Sequence, residues 1–530
     1  MYTVRYIGFD DVPQFSERDK AFQRLDPRLE DLMVHTPDLD SFRKVVDLKQ
    51  KHQIDRALLQ QVLTEQYSDI KDADKTLDHI ALLGQEHTYT IITAHQPSIL
   101  TGPLYFIYKI ASAISLARQV DELIPEIKVV PVFITGGEDH DFDEIATMHL
   151  FGQDFTWSTD QIGATGRMTL DGLDELIEAV KTKLGSSETA QELVAMIDHS
   201  LATSSNYGQF MISLTHALFA EYGVIVANMD DERLKQVLLP YVLRDLESLE
   251  SQRCVQADQE VVQSQGFKSQ AHAREVNIFW HDGDRHRVVA VDAQTYRIGE
   301  HILPKESLIE QLQSDSGNIS PNVILRPIYQ EIIFPNLAYV GGGGELAYWL
   351  ERKSLFETWE IPFPMLVRRD SIHIIDKKTA QLLEKSEVDI VKLFDREDHV
   401  VEAFTRSMSS EEIHLKEEKS TIEELYTKIA DRLADIDPTL KKTALGEASK
   451  AVKSLDYLES KMLKAEKNKH EVILNRVKKA KKKLFPGNNS LQERYDNFIP
   501  FYLKYGRAWI DKIVDIANPM DKNMKILIED

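Results

Sequence analysis

The sequence predicts an α/β chain with a long helical addition at its C-terminal end. Three observations carry this. Residues 88–135 read as strand, loop, helix and strand in succession. Apolar runs elsewhere end at glycines and are followed by helical text, as at Gly136-Gly137 and Gly341–Gly344. From about Asp376 the composition turns to Lys, Glu and Leu with apolar residues three and four apart. The first two describe parallel strands covered on both faces, and the third a coiled coil. The fold class expected is therefore a Rossmann-like parallel-sheet core with two insertions and a C-terminal helical coiled-coil domain.

The 530 residues are too many for one core. Apolar content of 42% and charged content of 28% describe an ordinary globular chain, and a net charge of −23 disfavours nucleic acid and anionic membrane as partners. No window is apolar enough to span a bilayer, and the first fifteen residues do not read as a signal peptide. The lone Cys254 rules out a disulfide framework within the chain and points to a reduced, cytoplasmic protein.

Taken in order, residues 1–150 hold N-terminal helices, including one from Arg56 toward Ile70, and the first part of the core. Tyr89–Thr93 is β-rich, Leu104–Val120 is a helix apolar nearly all round, and Ile127–Thr135 is a continuous apolar run. Residues 151–215 form a first insertion. Residues 216–250 return to the core through the strand Gly223–Asn228. Residues 251–318 form a second insertion with a hairpin turning at Asp282-Gly283-Asp284. Residues 319–380 complete the core, 381–505 make the helical coiled-coil domain, and 506–530 are left as a tail. Within 439–485 the spacing predicts one long helix, bracketed by Pro438 and Pro486-Gly487, with a helix near 420–434 paired antiparallel to it. Lys464–Lys483 holds nine basic residues against two Glu, which reads as a solvated face.

Candidate chemistry lies on the loops after the strands. His95, Gln96, Thr101 and Gly102 precede a helix start, where free N–H groups and the helix dipole favour an anion such as a phosphate. Glu138, Asp139, His140 and Asp141 open an acidic run, EDHDFDE. Carboxylates so dense need a compensating cation. They suit Mg²⁺ on nucleotide phosphates, a substrate amine with proton transfer, or simply a solvated turn. The spacing matches no zinc motif, so no metal ligands are assigned. Gly342 and Gly343, with Glu345, would bring a nucleotide or sugar against bare backbone, although neither GxGxxG nor a Walker motif is present. Arg326 suits bidentate carboxylate recognition.

The segments TAHQPSILTGPLYFIYK, VPVFITGGEDHDFDEI and SPNVILRPIYQEIIFPNLAYVGGGGELAYW, followed by the coiled coil, resemble the bacillithiol biosynthesis cysteine ligase (BshC) family in the same order along the whole chain. Ala94, Pro97 and Ser98 depart from the family's wording. The resemblance implies a fold similar to class I aminoacyl-tRNA synthetases, with connecting-peptide insertions and a coiled coil used for homodimerisation. It implies a ligase that joins cysteine to the amine of glucosaminyl malate, with ATP, with or without Mg²⁺, activating the cysteine carboxylate. On that reading His95, Gln96, Thr101, Gly102, Gly342 and Gly343 hold the nucleotide. Glu138, Asp139, His140 and Asp141 are catalytic, and Arg326 and Glu345 bind substrate. Two other classes stay open: a metal-dependent hydrolase built on the acidic loop, and a non-catalytic scaffold or RNA-binding relative.

Overall fold

The structure is a computed structural model that describes residues 1–385, 389–409 and 414–530. At its centre are five parallel strands: β1 (Thr88–His95), β2 (Lys128–Thr135), β3 (Ile225–Asn228), β4 (Asn336–Gly341) and β5 (Met365–Arg368). Their spatial order is β5-β4-β1-β2-β3. The chain builds outward from β1 to β3, then crosses back to add β4 and β5 on the other side. The strand order therefore reverses between β1 and β4, the place where open α/β sheets bind ligands. β1 and β2 pair along their whole length, from Thr88 opposite Lys128 to His95 opposite Thr135. Both are buried on both faces, which explains their unbroken apolar text.

Helix α1 (Tyr105–Leu123) crosses from β1 to β2 and is buried nearly all round, as its composition predicts. One face meets the sheet. The other meets the helix Arg507–Ile516 from the far end of the chain. The strands of the core are longer than sequence reading suggests at β1 and shorter at β3, since Gly223 sits at positive φ and delays the strand to Ile225.

Between β2 and β3, the helices Leu173–Leu184, Glu188–Thr203 and Tyr207–Phe219 pack on one side of the sheet. Between β3 and β4 come the helices Glu232–Ser248 and Glu250–Ser264 and a five-stranded antiparallel sheet, whose hairpin Ile278–His281/Arg285–Asp292 turns where expected.

Two expectations about the chain ends are corrected. Residues 1–85 are not only helical, because Tyr2–Gly8 is a strand. Residues 506–530 are not a tail. Asn523–Glu529 is the central strand of a second sheet, antiparallel to Tyr2–Gly8 and parallel to Ile372–Ile375. The pattern was hidden because NMKILIE is short and its partners are about 520 and 150 residues away.

The helical domain forms an arm. Lys416–Ala434 and Pro438–Lys469 run antiparallel, held by Lys419 to Asp456 and Glu459 at the base and Lys441 to Asp431 near the tip. The expected single helix over 439–485 is broken at His470 (φ −105°, ψ 15°), and a separate helix, Glu471–Leu484, leads back to the core. The seam of the arm is lined by Ala444 and Ala448, whereas Leu445, Tyr457 and Leu458 face outward.

Candidate active site

A cavity of about 640 Å³ opens at the carboxyl ends of β1 and β4, where the strand order reverses. His95 and Gln96 leave β1 into it. Gly342, Gly343 and Gly344 leave β4 along its opposite wall and start the helix Gly343–Leu350, whose positive end faces the cavity. A side chain at Gly343 would run into the Asp19 carboxylate, so the N-terminal helix Glu17–Arg24 fits flush on the loop only because residue 343 is glycine. Six predicted residues thus share one cavity: His95, Gln96, Gly342, Gly343, Arg326 and Glu345.

Lys109 lies one turn after Tyr105 on α1, and both reach the cavity. Lys109 Nζ donates to the Ala94 carbonyl at 2.7 Å and pairs with Glu345 Oε2 at 2.6 Å. Glu345 also accepts from the Gly342 N–H and the Tyr339 hydroxyl, each at 2.8 Å. Burial pushes its carboxyl up, but Lys109 and the Gly342 N–H together hold it below the ordinary carboxylate range. Glu345 is thus an ionised anchor tying the glycine loop to α1.

His95 is neutral. Burial, with Lys109 next in weight, pushes its pKa down to about 3. Its Nδ1 lies 2.8 Å from the Gln96 carbonyl and its Nε2 3.1 Å from the Tyr105 hydroxyl.

The remaining wall is cationic. Arg368 pairs with Asp19 at 2.9 Å, and Arg369 with buried Glu493 at 2.8 Å. Among the described residues, the guanidinium groups of Arg326 and Arg494 have neither a hydrogen bond nor an ion pair. Arg326 lies over Gly136, where a Cβ would come within 3.1 Å of both of its terminal nitrogens. Five cationic side chains line the cavity against Glu144 and Glu345. A site with this charge and two unpaired guanidiniums suits an occupant with more than one anionic group.

Other predicted residues fall outside the cavity. Thr101 and Gly102 are buried beneath it in a tight turn, with φ of 68° and 60°. The anion expected at that helix start has no room: the Leu104 N–H already donates to the Asp496 carbonyl at 2.8 Å, and Asn497 caps the carbonyls of Leu100 and Gly102. The helix start that does face the cavity is the second one, at Gly343. The acidic run is also set apart. Glu138 pairs with Lys235 at 3.2 Å, and Asp139 with Arg285 at 2.8 Å, while His140 and Asp141 are exposed. Arg285 comes from the second insertion and stacks 3.7 Å over Phe279, so the run fastens that insertion to the core. Asp139 touches the cavity only indirectly, through the Gln96 amide at 3.0 Å. Glu144, at the end of the run, is the member that reaches the cavity. Cys254 is buried, its thiol pushed up by burial, and it does not line this cavity.

Sequence reading missed Tyr105, Tyr339, Tyr348, Arg368, Arg369 and Arg494, and left the direction of Lys109 open. Tyr105 and Lys109 carried a usable signal, being one turn apart on a helix after a site loop. Arg368 and Arg369 also follow a strand end. Arg494 carried none.

A reversing parallel sheet with a cation-lined cavity at the reversal, joined to a helical arm, defines a Rossmann-like enzyme core with a coiled-coil addition. Comparison with known proteins gives the particular family. Residues 14–370 match the family model described as bacillithiol biosynthesis BshC, N-terminal Rossmann-like domain, and residues 372–529 match that of the C-terminal coiled-coil domain. Proteins named "Putative cysteine ligase BshC" align over nearly the whole chain. That of Flavobacterium johnsoniae is 33% identical, covering 98% of this chain and 99% of its own. That of Christiangramia forsetii is 34% identical over 93% of each. That of Bacillus cereus strain B4264 is 28% identical over 90% and 91%. The chain belongs to the BshC family of bacillithiol biosynthesis.

Proposed function

We propose that this protein is an amide-forming ligase that joins the carboxylate of cysteine to the amine of glucosaminyl malate, with ATP supplying the activation. The observation that carries the reading is the cavity itself. A helix start faces two unpaired guanidiniums there, a donor set that fits phosphates and carboxylates together.

The glycine loop with Gly342 and Gly343, together with Gln96, would hold ATP phosphates, with or without Mg²⁺, and His95 lines the same wall. Bound ATP supplies the leaving group that makes the cysteine carbonyl electrophilic. Arg326 would hold the malate carboxylates. Glu345, already ionised against Lys109, would receive the cysteine ammonium at its open edge. Cations aimed at the cavity stabilise the charge that grows on the leaving oxygen. Of Glu138, Asp139, His140 and Asp141, Asp139 would act through Gln96, and Asp139 and His140 through Arg285 of the second insertion, rather than by direct contact with the reacting atoms.

Cytoplasmic location fits the lone thiol of Cys254. Homodimerisation through the arm fits the outward-facing Leu445, Tyr457 and Leu458. No helix among the described residues is long and apolar enough to cross a membrane.

Steady-state kinetics with ATP, cysteine and glucosaminyl malate test the assignment of Arg326. Arg326→Ala should raise KM for glucosaminyl malate at least tenfold, about 1.4 kcal/mol, with a smaller effect on kcat. Unchanged KM for all three substrates overturns it.

A further inference from the structure

The hydrogen bonds around His95 fix the position of its proton. The Gln96 carbonyl, 2.8 Å from Nδ1, can only accept, so Nδ1 carries the hydrogen. In a neutral ring Nε2 is then bare, and it accepts the phenolic hydrogen of Tyr105 across 3.1 Å. Tyr105 is itself held in place. Its ring meets the His95 ring edge-on at 5.1 Å, and the Arg369 guanidinium, locked by Glu493, lies 5.4 Å over its face. The oxygen of Tyr105 lies on the cavity wall with lone pairs to spare and its own proton already directed at a base.

We propose that Tyr105 and His95 form a proton relay for the attacking amine of the ligase reaction. The inference rests on the ligase reading above and deepens it. As the amine nitrogen bonds the cysteine carbonyl carbon, one of its protons passes to the Tyr105 oxygen and the phenolic proton passes to His95 Nε2. The bond from that carbon to the activating oxygen breaks, and its electron pair leaves with the oxygen. The imidazolium returns its proton to water when products depart. Burial first, and then Lys109 and Arg326, oppose a proton on His95 in the empty cavity. Anionic substrates offset the charge of the two cations and so favour the transfer when the cavity is filled.

Hydroxylamine separates the relay from activation, because it is unprotonated and strongly nucleophilic at neutral pH and needs no base. The full-length chain is assayed with ATP and cysteine, using either glucosaminyl malate or hydroxylamine as acceptor, and ATP affinity is measured by calorimetry. In Tyr105→Phe, amide formation should fall about 10²–10⁴-fold. ATP Kd and cysteinyl hydroxamate formation should stay within about twofold of wild type. At saturating ATP, His95→Gln, which can accept the Tyr105 hydrogen bond but cannot take its proton, should likewise lower amide formation far more than hydroxamate formation. Amide formation at the wild-type rate in Tyr105→Phe overturns the relay, as does an equal loss of amide and hydroxamate. If the wild-type chain yields neither product, the ligase reading fails and the relay falls with it.

Discussion

Lys109 and Glu345 show how much one pair can hold in place. Lys109 has 3% of its side chain exposed and joins α1, the end of β1 and the glycine loop through two contacts. Lys109→Met leaves the Glu345 carboxylate without its cation, which should cost about 3–5 kcal/mol in urea unfolding. Adding Glu345→Gln should recover most of the loss, and an unchanged midpoint in the single variant would contradict the arrangement. Asp496 behaves in the opposite way, because burial pushes its carboxyl up to about 6. A carboxyl raised on folding stabilises the fold below its unfolded pKa, near ~4, and that contribution is lost as pH rises through the folded value. Asp496→Asn should therefore raise the unfolding midpoint at pH 7 and leave it unchanged at pH 3.5. At this scale the sequence was partly legible. His95, Gln96, Arg326 and Glu345 could be picked out because each stands at the end of an apolar run. Glu493 and Arg494 could not, since Glu493 meets Arg369 across 124 residues and nothing near either residue announces the contact.

The decisive element is the short stretch 491–497 that returns from the arm. Gln492 accepts from the Ile374 N–H, and Glu493 accepts from Arg369 and the Ile372 N–H. Asp496 and Asn497 close the α1 start, and Arg494 reaches the cavity. The site is therefore built from both domains. Asn497→Ala leaves the buried carbonyls of Leu100 and Gly102 without their donor and should cost about 1–3 kcal/mol by thermal or urea unfolding. A neutral result would mean that the turn is held by other contacts. The βαβ unit and both glycine junctions were legible as elements because hydrophobic period and glycine position are local properties. Which junction opens onto the cavity was not. At Gly102 and at Gly343 the local text is alike, and only the distant Asp496 carbonyl decides that the first is closed.

Across the whole molecule, the two ends of the chain pair in one sheet, and the C-terminal helix Arg507–Ile516 packs on α1. The strand Tyr2–Gly8, ahead of the first matched domain, thus completes the sheet of the second, and both domains line one cavity, even though their boundary near residue 371 is clear in composition. The arm extends away from this body, with Leu445, Tyr457 and Leu458 exposed at 44%, 60% and 51%. If a second copy covers them, changing all three to Ser should halve the mass seen by sedimentation and leave ATP Kd unchanged. An unchanged mass would place any dimer contact elsewhere.

The central claim is that the cavity at the β1–β4 reversal makes an amide from cysteine and glucosaminyl malate at the expense of ATP. The most direct measurement incubates the purified chain with all three and follows product mass and ATP consumption together. The account predicts one new species at the summed mass of the two substrates less one water, with one ATP consumed per product and none consumed without cysteine. No product, and ATP turnover indifferent to cysteine, would contradict it.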